Sequence, residues 1–336
     1  MELDLYISKR KQAWTTFTIM PLITADPGLI EHILDGTYPI WNEGLTREAY
    51  SRWNRAQMET VWGRTHLRRL ALLDGGTLLA SAKRYDFDAL IDGRPAAVVG
   101  IGAVFTPVER RGRGYAATLL DAMCDDAVAR GCSHALLFSE IGAPFYERHG
   151  FVVMPDDEIT IEVEPKRGGA PAMLVRSGER ADLDHIAEIS MVYARGAGFA
   201  LDRSASMNEY GIARRRLLAG LGPSGMRRLE FFVTEEGNRA VAFVVLAYGK
   251  HGVVLEDCGD RDPSGARVGA MLQVLSARTP ADPPLRARAR LPQTFRPQQL
   301  RVIGTRPISS DVMMIKPLVP GAKVPASHVY WQLDVF

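Results

Sequence analysis

Cysteine is scarce: Cys124, Cys132 and Cys258 are the only three in 336 residues. None has a CxxC partner and the seven histidines are scattered, so neither a disulfide framework nor a structural zinc site has support, and no metal is expected. The same scarcity points to a reducing, cytoplasmic setting and to buried thiols rather than nucleophiles. No apolar run approaches the roughly 18 residues that would cross a bilayer, so no membrane partner is expected. Lys and Arg form no stripe, and 41 basic against 39 acidic residues leave a net charge of +2. That balance argues against a nucleic-acid partner. Met1–Lys11 carries Glu2, Asp4, Lys9, Arg10 and Lys11 with no apolar stretch behind it, so it does not read as a secretory signal.

What is present is an ordinary globular balance, 46% hydrophobic and 24% charged, over a length that suits two domains of about 150 residues. Thr16–Leu22 reads as a β-rich run. Asp26-Pro27 opens a helix with Leu29, Ile30, Ile33 and Leu34 at helical spacing, and a second helical stretch spans about Thr46 to Val61. Strands follow at Arg69–Leu73, Leu78–Phe87 and Ala96–Phe105, separated by the Gly75-Gly76 and Asp92-Gly93 turns. Gly112–Ala129 reads as a strong helix. Ala135–Phe138, Phe151–Met154 and Ile159–Val163 read as strands, with a short helix at Pro144–Arg148. Glu164–Pro171, rich in charge, Gly and Pro, reads as a linker. Beyond it the opening order recurs: RSGERADLDHIAEI echoes LITADPGLIEHI, and RRLEFFVTEEGNRAVAFVVLAY echoes RRLALLDGGTLLASAKRY. Two copies of one α/β unit are expected, over residues 1–165 and 166–336.

The informative stretch is Gly100–Met123, GIGAVFTPVERRGRGYAATLLDAM. A strand ends at Pro107, a basic glycine-rich turn follows, and a helix begins. Amides at a helix start are unpaired, and the helix dipole adds about half a positive charge there. Glycines let that main chain approach a phosphate, and Arg111 and Arg113 flank it, which suits a pyrophosphate. Gly112-Arg113-Gly114-Tyr115-Ala116-Ala117 also fits the GxGxxA dinucleotide pattern, with Glu140 where a ribose-binding acid would lie. That keeps a nucleotide-dependent oxidoreductase as an alternative. The three antiparallel-looking strands ahead of the loop argue against a doubly wound domain, and the absence of GK[ST] excludes a P-loop.

Arg111-Gly112-Arg113-Gly114-Tyr115-Ala116 meets the R/Q-x-x-G-x-G/A signature of the GNAT superfamily of acetyl-CoA-dependent N-acetyltransferases. The later segment Leu136–Met154 supplies its F-Y-x-x-x-G-F element as Phe145, Tyr146, Gly150 and Phe151. Over about Phe17–Val163 the chain resembles that superfamily. Ser139-Glu140 followed by Tyr146–Phe151 is most similar to the Eis group, and the wording around the loop is similar to fungal lysine N-acetyltransferases. This chain is shorter than the usual Eis-type chain.

The resemblance implies an α/β fold of tandem GNAT-like domains, with mixed twisted sheets flanked by helices. It implies that acetyl-CoA is the co-substrate, with pantetheine along Val104, Phe105 and Thr106. The pyrophosphate would rest on the amides of Gly112, Arg113, Gly114, Tyr115, Ala116 and Ala117, beside Arg111. It implies direct attack by a primary amine, from a small molecule or from a peptide or lysine, with Tyr146 as the general acid for the leaving thiolate. Glu140 is one candidate base; the competing reading makes it a cap for the helix that starts near Gly142. The carboxylate at Phe336, after an apolar strand-like run, is the second. A non-catalytic acyl-CoA sensor is the other-class alternative, and a homo-oligomer stays open.

In the second half the loop position reads Asp260-Arg261-Asp262-Pro263-Ser264-Gly265. Two aspartates would repel a diphosphate and Pro263 removes an N–H, so this half is expected to be a degenerate copy.

Overall fold

The computed structural model describes residues 21–165, 173–278, 284–292 and 295–336. Residues 16–20 of the expected first β run, and 166–171 of the expected linker, lie outside the described residues. The chain enters through β1 (Leu22–Thr24) and turns into α1 (Pro27–Trp41). Asp26 starts that helix: its Oδ1 accepts from the Leu29 amide at 2.8 Å and Pro27 supplies a preset φ. The Thr46 hydroxyl caps α2 (Arg47–Glu59), and extended Thr60 both ends α2 and caps α3 (Val61–His66).

An antiparallel meander of β2 (Leu67–Asp74), β3 (Thr77–Ile91) and β4 (Arg94–Phe105) follows. Next come α4 (Tyr115–Ala129), β5 (His134–Ser139), α5 (Pro144–Glu147) and β6 (Val152–Val153). The helix α4 crosses from β4 to β5, which pair in parallel, and its Leu119, Leu120 and Met123 are buried against the sheet. The remaining elements are β7 (Asp157–Val163), β8 (Arg176–Ser177), α6 (Leu183–Ala194), β9 (Phe199–Leu201), α7 (Ala205–Leu221), β10 (Arg228–Glu236), β11 (Arg239–Gly249), β12 (Gly252–Asp260), α8 (Ala266–Arg278), β13 (Arg286–Ala289), β14 (Leu300–Pro307), β15 (Val312–Pro317) and β16 (His328–Val329).

Helices, an antiparallel three-strand meander, a crossover helix and a parallel strand therefore occur twice in the same order. This is the tandem α/β arrangement expected from the internal echo. Among the described residues the first sheet runs β1-β2-β3-β4-β5-β15-β6, with β9 added on β3 and β16 on β9. The second runs β14-β7-β13-β12-β11-β10-β8.

The two sheets trade strands. The strand β7, which precedes residue 165, pairs with β13 and β14 in the second sheet. Conversely β15, near the end of the chain, lies between β5 and β6 of the first. All three cysteines are free and buried.

The exchange shapes the centre of the first sheet. β15 pairs with β5 along its whole length, from Val312 opposite Ser139 to Pro317 opposite His134. β4 and β5 are paired only from Val98/His134 to Gly100/Leu136, so beyond Gly100 the strands part. A bulge sits in the freed stretch of β4: its register with β3 shifts between Ser81 and Lys83, and Ala103 takes a left-handed φ of 49°. The Phe336 ring wedges into the opening. Its centroid lies 4.4 Å from that of Tyr85 and 5.2 Å from those of Phe87 and Phe138. Glycine at position 100 makes room: a Cβ there would fall 2.8 Å from Phe336 Cζ.

Candidate active site

The loop before α4 presents a run of open main-chain amides. Gly112 and Gly114 have φ of 74° and 83°, and a Cβ on either would meet no protein atom within 4 Å. Glycine is therefore favoured there by backbone conformation and not by internal crowding. Among the described residues none of the amides from Gly112 to Ala117 donates to a protein acceptor; the first paired one is Thr118, which bonds Gly114 O at 3.0 Å. Gly114 caps α4 without any side-chain bond. Arg111 folds back so that its Nε donates to Thr106 O at 3.2 Å, and Thr106 Oγ1 is buried without a partner.

A cavity of about 310 Å³ opens between the parted strands, α2 and α7, with Val104 of β4, the strand that leads into this loop, in its wall. Val104, Glu140, Tyr146 and Phe336 all line it, so four of the residues singled out from sequence meet in one place. Phe105 instead turns its ring away, into the core against Gly36 of α1.

Tyr146 sits on the single turn of α5 and is 8% exposed. Its ring is held edge-on by Phe145 and Phe151, with centroids 5.0 and 6.1 Å away. Among the described residues its hydroxyl has no hydrogen-bond partner. Burial, with a smaller push from the Glu140 charge, raises the phenol to about 12.

Glu140 does not cap a helix: α5 begins at Pro144, and its N-cap residue Ala143 makes no side-chain bond. Instead Glu140 Oε2 accepts from Trp41 Nε1 at 2.9 Å, which fixes the carboxylate at the exposed mouth of the cavity. The preceding turn is held by Ser139 Oγ, which donates to Gly142 O at 2.6 Å, and the start of α5 has no side-chain cap.

The floor carries charge that the strand reading passed over. Arg69 of β2, Lys83 of β3 and Arg214 of α7 line the cavity at 2%, 9% and 7% exposure. Period-two alternation places Arg69 with Leu67 and Ala71, and Lys83 with Tyr85 and Phe87, on a buried face. That alternation is the available signal, and it stays hidden while Arg69 and Lys83 count only as members of strands. Arg214 Nη2 donates to Leu333 O at 3.1 Å and to Val335 O, and so ties the end of the chain to the same wall.

A model of the acetyltransferase (GNAT) domain matches residues 33–154. Over these residues the chain is similar to GNAT acetyltransferase domains. No curated protein matches the chain. Among solved structures, a probable N-acyltransferase from Enterococcus faecalis is 13% identical and superposes with a TM-score of 0.64 over 89% of this chain and 72% of that one. Eis1 from Mycobacterium abscessus gives 13% identity and a TM-score of 0.57, over 89% and 74%. The N-myristoyltransferase of Saccharomyces cerevisiae with bound myristoyl-CoA gives 10% identity and a TM-score of 0.53, over 88% and 78%. Such matches reach across both halves, so the fold of both halves is shared with these structures. The matched segment holds the open amides, and the cavity brings it together with α7 from the second half and with residues 332–336.

In the second half the equivalent helix start is filled from within. Asp260, fully buried at the end of β12, accepts from the Arg267 amide at 2.8 Å with Oδ2 and from the Asp262 amide at 2.9 Å with Oδ1. The Arg267 guanidinium reaches the same carboxylate at 3.0 Å. A protein carboxylate thus occupies the start of α8, where the first half leaves its amides open at α4.

Proposed function

We propose that the chain is an N-acetyltransferase that moves the acetyl group of acetyl-CoA to a primary amine by direct attack. The supporting observation is a run of six unpaired amides at the start of α4, preceded by β4, whose Val104 lines the same cavity, between parted strands, as Tyr146. The diphosphate rests on the amides of Gly112 to Ala117, with the Arg111 and Arg113 charges beside it. Pantetheine amides run along Val104 and Phe105 as an added strand, and Thr106 offers its unpartnered hydroxyl. This places the thioester in the cavity. The amine nitrogen attacks the carbonyl carbon, the C–S bond breaks, the Tyr146 phenol hydrogen-bonds and protonates the departing sulfur, and a carboxylate takes the proton lost by the amine. Glu140 is that carboxylate; where the chain ends at Phe336, its terminal group is the second candidate. The compartment is a reducing cytoplasm, in keeping with three unpaired cysteines.

A calorimetric titration with acetyl-CoA, followed by thiol-release assays on a panel of amines, tests the reading. One site per chain is expected, because Asp260 occupies the start of α8, together with amine-dependent release of CoA. Binding without release under every amine makes the protein an acyl-CoA sensor instead. Two sites per chain contradicts the assignment of the second half.

Glu140→Gln separates the two bases. With Glu140 as base, kcat falls by about 10²-fold or more, the scale of general-base contributions, while acetyl-CoA affinity holds. Activity near that of the unmodified protein moves the role to the carboxylate at Phe336.

A further inference from the structure

The floor of the cavity is a concentration of buried positive charge. Arg69 and Lys83 stand directly opposite one another on β2 and β3, and Arg214 approaches from α7. Like charges facing each other across a sheet repel, and burial makes the repulsion stronger. Among the described residues no side-chain carboxylate lies within salt-bridge distance of any of the three. Buried Arg203, by contrast, meets both Asp257 and Asp334. Arg69 Nη2 has only a long contact of 3.4 Å to Asn54 Oδ1, and Arg69 Nη1 and Arg214 Nε are buried with no hydrogen-bond partner. Buried donors left unmade are costly, and buried charges are normally paired. The opposite sign collects at the mouth, where Glu140 and Asp311 line the more open side.

We propose that the acceptor is a small amino acid, its carboxylate bound by Arg69, Lys83 and Arg214 on the cavity floor and its amine held toward Glu140 at the mouth. This deepens the transfer reading and rests on it for the fate of the amine. A bipolar cavity of about 310 Å³ suits a zwitterion of a few carbons per arm, at the small end of ligand sites. It does not suit a polycation, whose second ammonium would meet the buried guanidinium groups of Arg69 and Arg214. The guanidinium of Arg69 supplies a planar donor pair for a carboxylate, and Lys83 a point charge opposite it. In the ligand-free cavity the Lys83 ammonium is disfavoured by burial, then by Arg69 and Arg214. An arriving carboxylate reverses that balance, so acceptor binding and recharging of Lys83 support each other.

Two measurements test the proposal. The first compares thiol release from matched amines that differ by one carboxylate, lysine against cadaverine and phenylalanine against phenethylamine. The acid-bearing member is expected to have a kcat/KM higher by about tenfold or more, the scale of one charge-assisted contact, and Lys83→Met is expected to erase most of that preference. Neutral amines that serve equally well, or a preference unchanged in Lys83→Met, overturn it.

The second is independent of chemistry: calorimetry of lysine and of cadaverine into the protein saturated with CoA, which has no acetyl group to transfer. Heat from lysine that is lost in Lys83→Met supports the floor site even where no amine releases thiol. Heat from neither ligand, or equally from both, overturns it. Acetyl-CoA titrations of Lys83→Met report that the variant is folded.

Discussion

Tyr146→Phe is expected to lower kcat by about 10²-fold or more while leaving acetyl-CoA affinity nearly unchanged, a loss within the usual range for removing a positioned proton donor. The ring remains, so its packing against Phe145 and Phe151 is kept, and only a hydroxyl open to the cavity is removed. The groups proposed to bind acetyl-CoA lie elsewhere, on the α4 amides and the edge of β4, so affinity and turnover should separate. A phenol raised to about 12 stays protonated throughout the working range. The rate should therefore show no alkaline decline near pH 10, where an ordinary tyrosine titrates. A stopped or steady-state thiol assay from pH 7 to 10 on both proteins decides the matter. Unchanged kcat removes Tyr146 from the chemistry, and a decline near pH 10 that vanishes in Tyr146→Phe shows that its burial is not maintained.

Arg203→Met should destabilise the protein by about 3–5 kcal/mol, the cost of leaving buried charge without its partner. Arg203 lies between Asp257 and Asp334, all three nearly inaccessible, and Asp334 caps the last turn by accepting from the Trp331 amide at 2.9 Å. Burial opposes the charge on Arg203, but the two carboxylates more than offset it. At Asp257 burial outweighs the pull of Arg203, and its carboxyl is pushed upward.

The sign of the pH effect follows. A carboxyl raised above its unfolded value of about 3.9 contributes stability below that value and loses it as pH climbs through the folded one. Without Arg203 the carboxyl rises further, so the deficit should be larger at pH 8 than at pH 5. Urea unfolding at the two pH values measures it, and a deficit independent of pH sinks the explanation. An exposed pair such as Arg239 with Glu188 should contribute less than about 1 kcal/mol.

What could be read from the sequence was mostly local. Asp26-Pro27 announced α1, the alternation of Leu78–Phe87 announced β3, and the two glycines before Tyr115 announced an open helix start. Tyr146, Glu140, Val104 and Phe336 were singled out from motif and position, and they line one cavity. Pairings between distant segments were not legible. Nothing near Val312 indicates that it will lie beside Ser139, or near Asp157 that it will join the other sheet, because strand partners are chosen by tertiary packing. Arg69 and Lys83 were hidden for a related reason: a cation in an apolar strand looks solvent-facing until its opposite residue is known. Asp260 was read as repulsive toward a phosphate. The sequence did not reveal that the same carboxylate stands in for one.

The traded strands have a consequence for synthesis. The cavity wall is assembled from residues far apart in sequence, from Trp41 to Phe336, with β15 and the Phe336 ring synthesised after the other strands that frame it. A nascent chain therefore passes through most of its translation with β5 lacking one neighbour and the acyl pocket unwalled. Separate expression of either half should yield sheets with bare edges that self-associate rather than fold.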